Sequence, residues 1–380
     1  MKKIIICISV IFVLLNICST SYAKNELNND ILESQKDSLN VQSFIKEANT
    51  YTKDVFSDTD MGNMLNSAIS GKMDNRKIFT SIWNLLGKDF TNCMITISSI
   101  IAIVVIHSIL KSISDGLENK GVSEVAYYVQ YILIVTIIVK NFAEVLDLVK
   151  NSIDNLVGFM NSLIPILVTL MFTTGSISGG SIMQPILLFM VTFIGNFIKN
   201  IIIPIILVST ALAIVSKISS KIQIDKLSKY FKSTVVWVLG VVLTLFVGIL
   251  SVEGSLANSV DGVTAKTSKA AVSTLIPFVG KILGDAIDSV IGCGMILKNA
   301  LGAIGTVIII GICIKPIIKL VILMAMYYLL ASLCQPIADD KIIKLLEQMG
   351  ETFKILLAVM ASSSAMAIIG ITLVVKITNV

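Results

Sequence analysis

Nine apolar segments of 14 to 21 residues follow one another from residue 93 to the C-terminus, and they constrain the fold more than any other feature. A bilayer core about 30 Å thick needs roughly 20 helical residues, so several of these segments are short for a span. With 55% hydrophobic and 14% charged residues, the chain has too little polar surface for a water-soluble globule. We therefore expect an all-α polytopic transmembrane helical bundle with six to nine spans. The candidate spans are 93–110, 125–139, 156–174, 182–198, 201–216, 235–250, 301–314, 317–334 and 355–375.

The N-terminus has the three parts of a secretory signal. Lys2 and Lys3 precede an apolar run, and Ser21, Tyr22 and Ala23 supply a small-residue cleavage site. We expect a cleavable signal peptide over 1–23; an uncleaved first membrane helix is the alternative. The polar residues 24–90 then predict a small helical arm outside the cytoplasm, followed by a membrane domain over 91–380.

The placement of lysines predicts the orientation of the chain. Between residues 217 and 232, five lysines accompany one aspartate, which is typical of a cytoplasmic loop. An odd number of crossings must precede this Lys-rich turn if the arm lies outside. Five candidate spans do so, provided that 182–198 and 201–216 form a tight hairpin around Lys199 and Asn200. The same count places residues 251–292 outside and Lys376 in the cytoplasm.

The segment 251–292 is polar for its position between apolar segments. It is rich in Gly, Ala, Ser and Thr, a composition that favours close helix packing. We interpret it as an amphipathic or re-entrant segment. Its charged residues are candidates for lining or gating a path, and the alternative is a helix lying in the membrane interface with its charged face in water. These candidates are Lys266, Lys269, Lys281, Asp285 and Asp288.

Two pairs of prolines recur at one spacing. Pro277 follows Pro165 by the same 112 positions that separate Pro316 from Pro204. One interpretation is an internal duplication, in which these four prolines are candidate helix breaks beside a binding site or pathway. The other is chance similarity between apolar segments, with the prolines producing ordinary kinks.

The sequence has no pattern typical of an enzyme. It lacks a phosphate-binding loop, a GxSxG motif, an HExxH motif and a Cys/His cluster, so we expect no catalytic residue, no metal site and no cofactor. His107 is the single histidine, and satisfied packing explains it more simply than a proton relay. No basic run alternates with aromatic residues, so we expect no nucleic-acid binding.

Three stretches of the sequence resemble a known family. They begin at Val252-Glu253-Gly254-Ser255, at Asp261-Gly262-Val263-Thr264-Ala265-Lys266 and at Ile276-Pro277-Phe278-Val279-Gly280-Lys281. There, and over essentially its whole length, the chain resembles the stage III sporulation protein AE family of endospore-forming bacteria.

The resemblance implies a multi-pass membrane subunit required for spore development, in the mother-cell-derived membrane that surrounds the forespore. Its implied partners are the other subunits of the stage III sporulation A operon complex and, indirectly, stage II sporulation protein Q. Together they form a channel compared with secretion systems. We expect a permease-like channel core that is not an enzyme; the alternatives are a non-conducting scaffold and a stand-alone secondary transporter.

Overall fold

A computed structural model describes residues 29–53, 55–56, 60–71, 75–116, 120–218, 224–275 and 280–376. Within these ranges every regular element is helical, so the predicted all-helical class is confirmed. The predicted signal peptide over 1–23 lies outside them. Side chains are not described for residues 253–287 or for His107.

Three short helices precede a set of long ones. The short helices are α1 (Asn29–Ser38), α2 (Val41–Thr52) and α3 (Met61–Ile69). The long helices are α4 (Asn75–Gly116), α5 (Lys120–Thr173), α6 (Ile177–Phe197), α7 (Ile203–Ile218), α8 (Asp225–Leu275), α9 (Gly280–Cys334) and α10 (Asp340–Lys376), and a π-helical turn, Ile198–Ile202, joins α6 to α7. The predicted boundary at residue 90 therefore falls inside α4.

Several predicted spans belong to one continuous helix. Segments 125–139 and 156–174 both lie in α5, and 301–314 and 317–334 both lie in α9. At 1.5 Å per residue, the 54 residues of α5 extend about 80 Å. In the described part of the chain, four helical stretches are long and apolar enough to cross a membrane: Gly179–Lys217, Asp225–Val252, Asp288–Cys334 and Asp340–Lys376. The count of six to nine spans stays a prediction.

The predicted hairpin around Lys199 and Asn200 is wrong. Backbone angles stay helical on both sides of the π-helical turn, with φ −61° at Phe197 and −62° at Ile203. The Ile203 N–H donates to the Ile198 carbonyl, five residues back, and Pro204 follows immediately. Since proline has no N–H and its ring clashes with the carbonyl four residues earlier, a widened turn before Pro204 keeps the helix continuous.

Helix α9 is the central helix of the bundle. It contacts α10 most extensively and also α4, α5, α8 and the three short helices. Its glycines permit close approach: a Cβ on Gly305 would lie 2.6 Å from Leu163 of α5, and one on Gly302 would lie 3.6 Å from the Val375 Cβ of α10. Small residues thus allow neighbouring backbones to approach closely.

Helices α9 and α10 run antiparallel. The start of α10 lies near the Lys-rich turn, and Lys376 lies at its other end. Gln348 of α10 accepts a hydrogen bond from Lys232 near that turn, whereas Val375 packs on Gly302. The helix from Gln348 to Lys376 extends about 42 Å at 1.5 Å per residue. The structure thus places Lys376 far from the Lys-rich turn along α10, while the side of the membrane on which each lies stays a prediction.

Helices α1–α3 form an amphipathic N-terminal arm. Their apolar side chains, including Val41, Phe44 and Leu65, are buried, while acidic and basic residues of α1 and α2 are exposed on the opposite faces. Asp60 caps α3 by accepting from the Gly62 N–H, and Asn49 of α2 donates to the same carboxylate. The arm packs against α5 and α9, and the charged residues of α1 and α2 lie on its outer surface.

Candidate functional site

The segment 251–292 is not a separate element. Its first part continues α8 to Leu275, and its last part belongs to α9, which begins at Gly280. Lys266 and Lys269 are therefore in α8, and Lys281 and Asp285 in α9, but their side chains lie outside the described part. Asp288 is described and exposed. The role of these residues in a path stays a prediction.

The helices continue at the three predicted helix-break prolines that the structure describes, Pro165, Pro204 and Pro316. Helix α5 continues through Pro165 and α9 through Pro316, so neither proline ends its helix. Before Pro204, which lies in α7, the backbone forms a π-helical turn without breaking. Pro277 lies outside the described residues, and the internal duplication stays a prediction.

Two lysines of the Lys-rich turn are buried and hold helices together. Lys217 pairs with Asp225, which also accepts from Ser216, so the turn between α7 and α8 is closed by one carboxylate. The Lys232 ammonium donates to the Gln348 carbonyl at 2.8 Å and lies 4.0 Å from Glu351. These contacts join α7, α8 and α10, so part of this lysine cluster is structural.

A polar stripe runs along the exposed face of α5. Every residue of α5 classed as exposed between positions 140 and 169 is polar except Ala143, and no large hydrophobic residue is exposed between Val139 and Phe172. Spacings of three, four, seven and eight residues place the members on one helix face. The stripe consists of Lys140, Glu144, Asp147, Asn151, Asp154, Asn155, Asn161 and Thr169.

An ion pair joins this α5 stripe to the π-helical turn. The Lys199 ammonium donates to Asp154 Oδ2 at 2.6 Å, and both side chains are partly exposed, at 38% and 51%. Close packing nearby requires Gly195, because a Cβ there would collide with Val157. The π-helical turn between α6 and α7 thus places Lys199 beside Asp154.

The outer surfaces of several other helices differ sharply from the α5 stripe. Large apolar side chains are exposed on α4, α6, α7 and α8, among them Ile106 at 58%, Phe193 at 50%, Leu207 at 46% and Leu245 at 59%. On α6, the rings of Phe189 and Phe193 stack with centroids 5.7 Å apart. Such surfaces suit contact with lipid, whereas the α5 stripe does not.

The sequence contained a signal for this stripe that span prediction missed. Lys140, Glu144, Asp147, Asn151 and Asp154 repeat with helical spacing. The predicted spans 125–139 and 156–174 leave these residues between two spans. The structure instead places them in the middle of one helix.

Within the described ranges, no group of three His, Cys, Asp or Glu side chains is arranged to hold a metal ion. The described cysteines, Cys93, Cys293, Cys313 and Cys334, are buried thiols.

Long apolar helices with exposed apolar surfaces define a helical, multi-pass membrane protein. Comparison with known proteins gives the family: the model of the stage III sporulation protein AE family matches residues 59–378, and the chain belongs to this family. Stage III sporulation protein AE of Bacillus subtilis (strain 168) is 28% identical over 283 residues, which cover 74% of this chain and 71% of that protein. No solved structure matches the chain. The protein is thus a sporulation-related membrane protein.

Proposed function

We propose that this protein is a permease-like, conducting subunit of the stage III sporulation A operon complex, in the mother-cell-derived membrane around the forespore, and that the α5 stripe lines its aqueous path. The observation that carries this proposal is the length of the stripe. From Lys140 to Thr169 it extends about 44 Å at 1.5 Å per residue, more than the roughly 30 Å of a bilayer core.

Lipid cannot be the surroundings of the whole stripe. An Asp or Lys at the bilayer centre costs roughly 2.5–3.5 kcal/mol, and the exposed stripe carries Lys140, Glu144, Asp147 and Asp154. Charged side chains in membrane proteins therefore face water-filled cavities or protein partners. Because the stripe lies on the surface of one chain, neighbouring subunits must complete the wall of the path.

The continuous helices are compatible with the proposed orientation. Five predicted spans before the Lys-rich turn merge into three continuous helical stretches: α4, α5, and α6 joined to α7. Of these three, α6 joined to α7 is long and apolar enough to cross a membrane, and α4 and α5 cross as well if the α5 stripe lines a path. One crossing and three crossings are both odd numbers, as five is, so an outer N-terminal arm still corresponds to a cytoplasmic Lys-rich turn. Lys376 would then lie on the outer side.

The second candidate function is a non-conducting scaffold. The same exposed stripe favours it if another subunit covers Glu144, Asp147 and Asn151 with protein instead of water. The two functions differ in whether the stripe remains accessible to water inside the assembled complex.

Cysteine accessibility in sporulating cells tests this difference. Glu144→Cys, Asp147→Cys and Asn151→Cys probe the stripe; Phe193→Cys and Leu245→Cys are matched controls at exposed apolar positions. A conducting subunit predicts that a charged methanethiosulfonate reagent labels the stripe and lowers the yield of heat-resistant spores, with the controls unlabelled. Stripe cysteines that are protected in the complex but labelled without the other operon subunits would establish the scaffold instead.

A further inference from the structure

Two lysines of the Lys-rich turn lie exposed at the start of α8. Lys226 and Lys229 belong to its first turns, and both side chains are exposed. Acidic residues in this part of the fold have other partners, because Asp225 pairs with a lysine of α7 and Glu351 lies 4.0 Å from Lys232. Among the described residues, no carboxylate forms an ion pair with Lys226 or Lys229. This end of α8 therefore carries positive charge without a counter-charge.

The boundary of the hydrocarbon core on α8 follows from the spacing of its charges. After Lys232, no charged residue occurs in 233–252, a stretch of 20 residues. At 1.5 Å per residue this stretch is about 30 Å long, the thickness of a bilayer core. Only 22% of the most apolar part of α8 is buried, against 39%, 61% and 56% in the other three candidate spans. Of these four helical stretches, α8 thus offers the most surface to lipid, and Lys226 and Lys229 lie just outside the core.

Two aromatic side chains share the helix face of Lys226. Tyr230 and Trp237 are 66% and 70% exposed, the largest fractions among the large hydrophobic residues that the structure describes. Successive spacings of four and seven residues place them on this face, with the exposed Ser233 between them. Because helical side chains lean towards the N-terminus, the Trp237 ring covers the turn on the lysine side. Tyrosine and tryptophan beside lysines are typical of the membrane interface.

Helix α5 places a further aromatic residue at this end of the bundle. The Tyr131 hydroxyl donates to the Ile214 carbonyl of α7 at 2.5 Å, and Ile214 precedes Lys217 by three residues. Tyr128 lies one turn earlier on α5 and is 40% exposed. Aromatic residues of two helices therefore mark the level of the Lys-rich turn, as expected where a bilayer meets water.

We propose that the start of α8 binds an anionic phospholipid, with the lipid phosphate at Lys226 and Lys229 and an acyl chain along Trp237. The hydroxyls of Tyr230 and Ser233 belong to residues between these two positions, where a phospholipid has its ester oxygens. The bound lipid holds the Lys-rich turn at the membrane surface, and this role is independent of conduction.

Charge favours lipid over a second copy of the chain as the occupant of this face. A Cβ on Gly240, beyond Trp237, would meet nothing within 4 Å, so the described part of the chain leaves this surface open. Two copies in one membrane that packed through this face would bring Lys226 and Lys229 against the same lysines of the other copy, and like charges repel. An anionic headgroup instead supplies the counter-charge, and each lysine near an anionic surface strengthens binding about fivefold.

Fluorescence quenching by brominated lipids tests the proposal. The sequence has two tryptophans, so Trp83→Phe leaves Trp237 as the single indole. The full-length variant is reconstituted in phosphatidylcholine vesicles that contain a small fraction of either phosphatidylglycerol or phosphatidylcholine with a brominated acyl chain. We expect the anionic lipid to quench Trp237 with an apparent affinity roughly fivefold or more above that of the neutral lipid.

A matched pair of variants separates a local site from the overall charge. Lys226→Gln/Lys229→Gln should reduce the ratio of the two affinities to about one. Lys344→Gln/Lys354→Gln removes the same charge from exposed positions on α10 and should leave the ratio unchanged. If the first variant does not fold, about 1 M salt should lower the ratio in the single-tryptophan protein, because the Debye length falls to about 3 Å. A ratio that salt leaves unchanged would contradict recognition by charge.

Three other results would overturn the proposal. Equal quenching by the two brominated lipids would mean that the lysines select no headgroup. An equal loss of selectivity in the α8 and α10 variants would mean that net charge, and not this site, attracts the lipid. Quenching by neither lipid would mean that protein covers Trp237, as in a dimer formed through α8.

Discussion

The ammonium of Lys199 lies 2.6 Å from Asp154 Oδ2, so the π-helical turn before Pro204 is joined to the polar stripe of α5. The energy of this pair depends on its surroundings. We expect a double-mutant cycle with Asp154→Asn and Lys199→Gln to give a coupling below about 1 kcal/mol, as for pairs that face water. A coupling of about 3 kcal/mol or more, measured by thermal unfolding in detergent and lipid nanodiscs, would mean that the pair is buried away from water.

We expect that replacing the buried Lys298 with an apolar residue raises the thermal stability of the protein. Its side chain is fully buried in α9, and among the described residues its ammonium has no hydrogen-bond partner. Burying an unpaired cation costs free energy, so Lys298→Met should raise the thermal midpoint of the purified protein. Lys344→Met, at a side chain 61% exposed, is the control and should change the midpoint little. A lower midpoint for Lys298→Met would show that the ammonium has a stabilising partner.

We expect that adding a side chain at Gly305 lowers the thermal stability of the protein. A Cβ at this position would lie 2.6 Å from Leu163 Cδ2 and 3.3 Å from Ile371 Cδ1, so Gly305→Val must push α5 and α10 away from α9. We expect destabilisation of about 1–3 kcal/mol, as for other overpacked cores. Gly240→Val is the matched control, because a Cβ there meets nothing within 4 Å. Similar melting curves for the two variants would contradict the close packing of α9.

We expect the stability of the N-terminal arm to depend on pH through Asp60. Hydrogen bonds from the Asn49 side chain and then from the Gly62 N–H lower the pKa of Asp60, so folding favours its ionised form. This contribution is present above the ordinary carboxyl pKa and is lost as pH falls through the lowered value in the folded state. The protection factors of α2 and α3 against hydrogen exchange, corrected for the intrinsic rate at each pH, should therefore fall below about pH 4. Asp60→Asn keeps a good helix cap and should remove this step, whereas an unchanged acid response would assign it to another group.

The helical class and the membrane character were predictable from composition, but the continuity of the helices was not. Residues 140–155 of α5 and Lys199 with Asn200 interrupt the hydropathy, so each was interpreted as a connection between spans. A polar interruption in an apolar segment indicates only that its side chains are unfavourable in lipid. Backbone continuity depends on whether other helices, water or an ion pair such as Asp154–Lys199 satisfy the polar groups.

The Lys-rich turn is a second case in which the sequence does not show which residues contact one another. Charge asymmetry predicts which side of a membrane the turn prefers, but it treats every lysine as solvated. Lys217 and Lys232 are buried because Asp225 and the Gln348 carbonyl, which are eight and 116 positions away, come close to them in the fold. One of these partners is distant in the sequence, so only the structure could identify it.

By itself, the sequence determined that this protein is helical, embedded in a membrane and a member of the stage III sporulation protein AE family, because apolar segments and family motifs are local properties of the chain. Only the tertiary structure decided which polar residues share an exposed face, that α9 is central, and that the arm packs against α5 and α9. Those relationships depend on contacts between helices far apart in sequence. Glycine positions and the π-helical turn set these contacts through steric fit, which hydropathy does not encode.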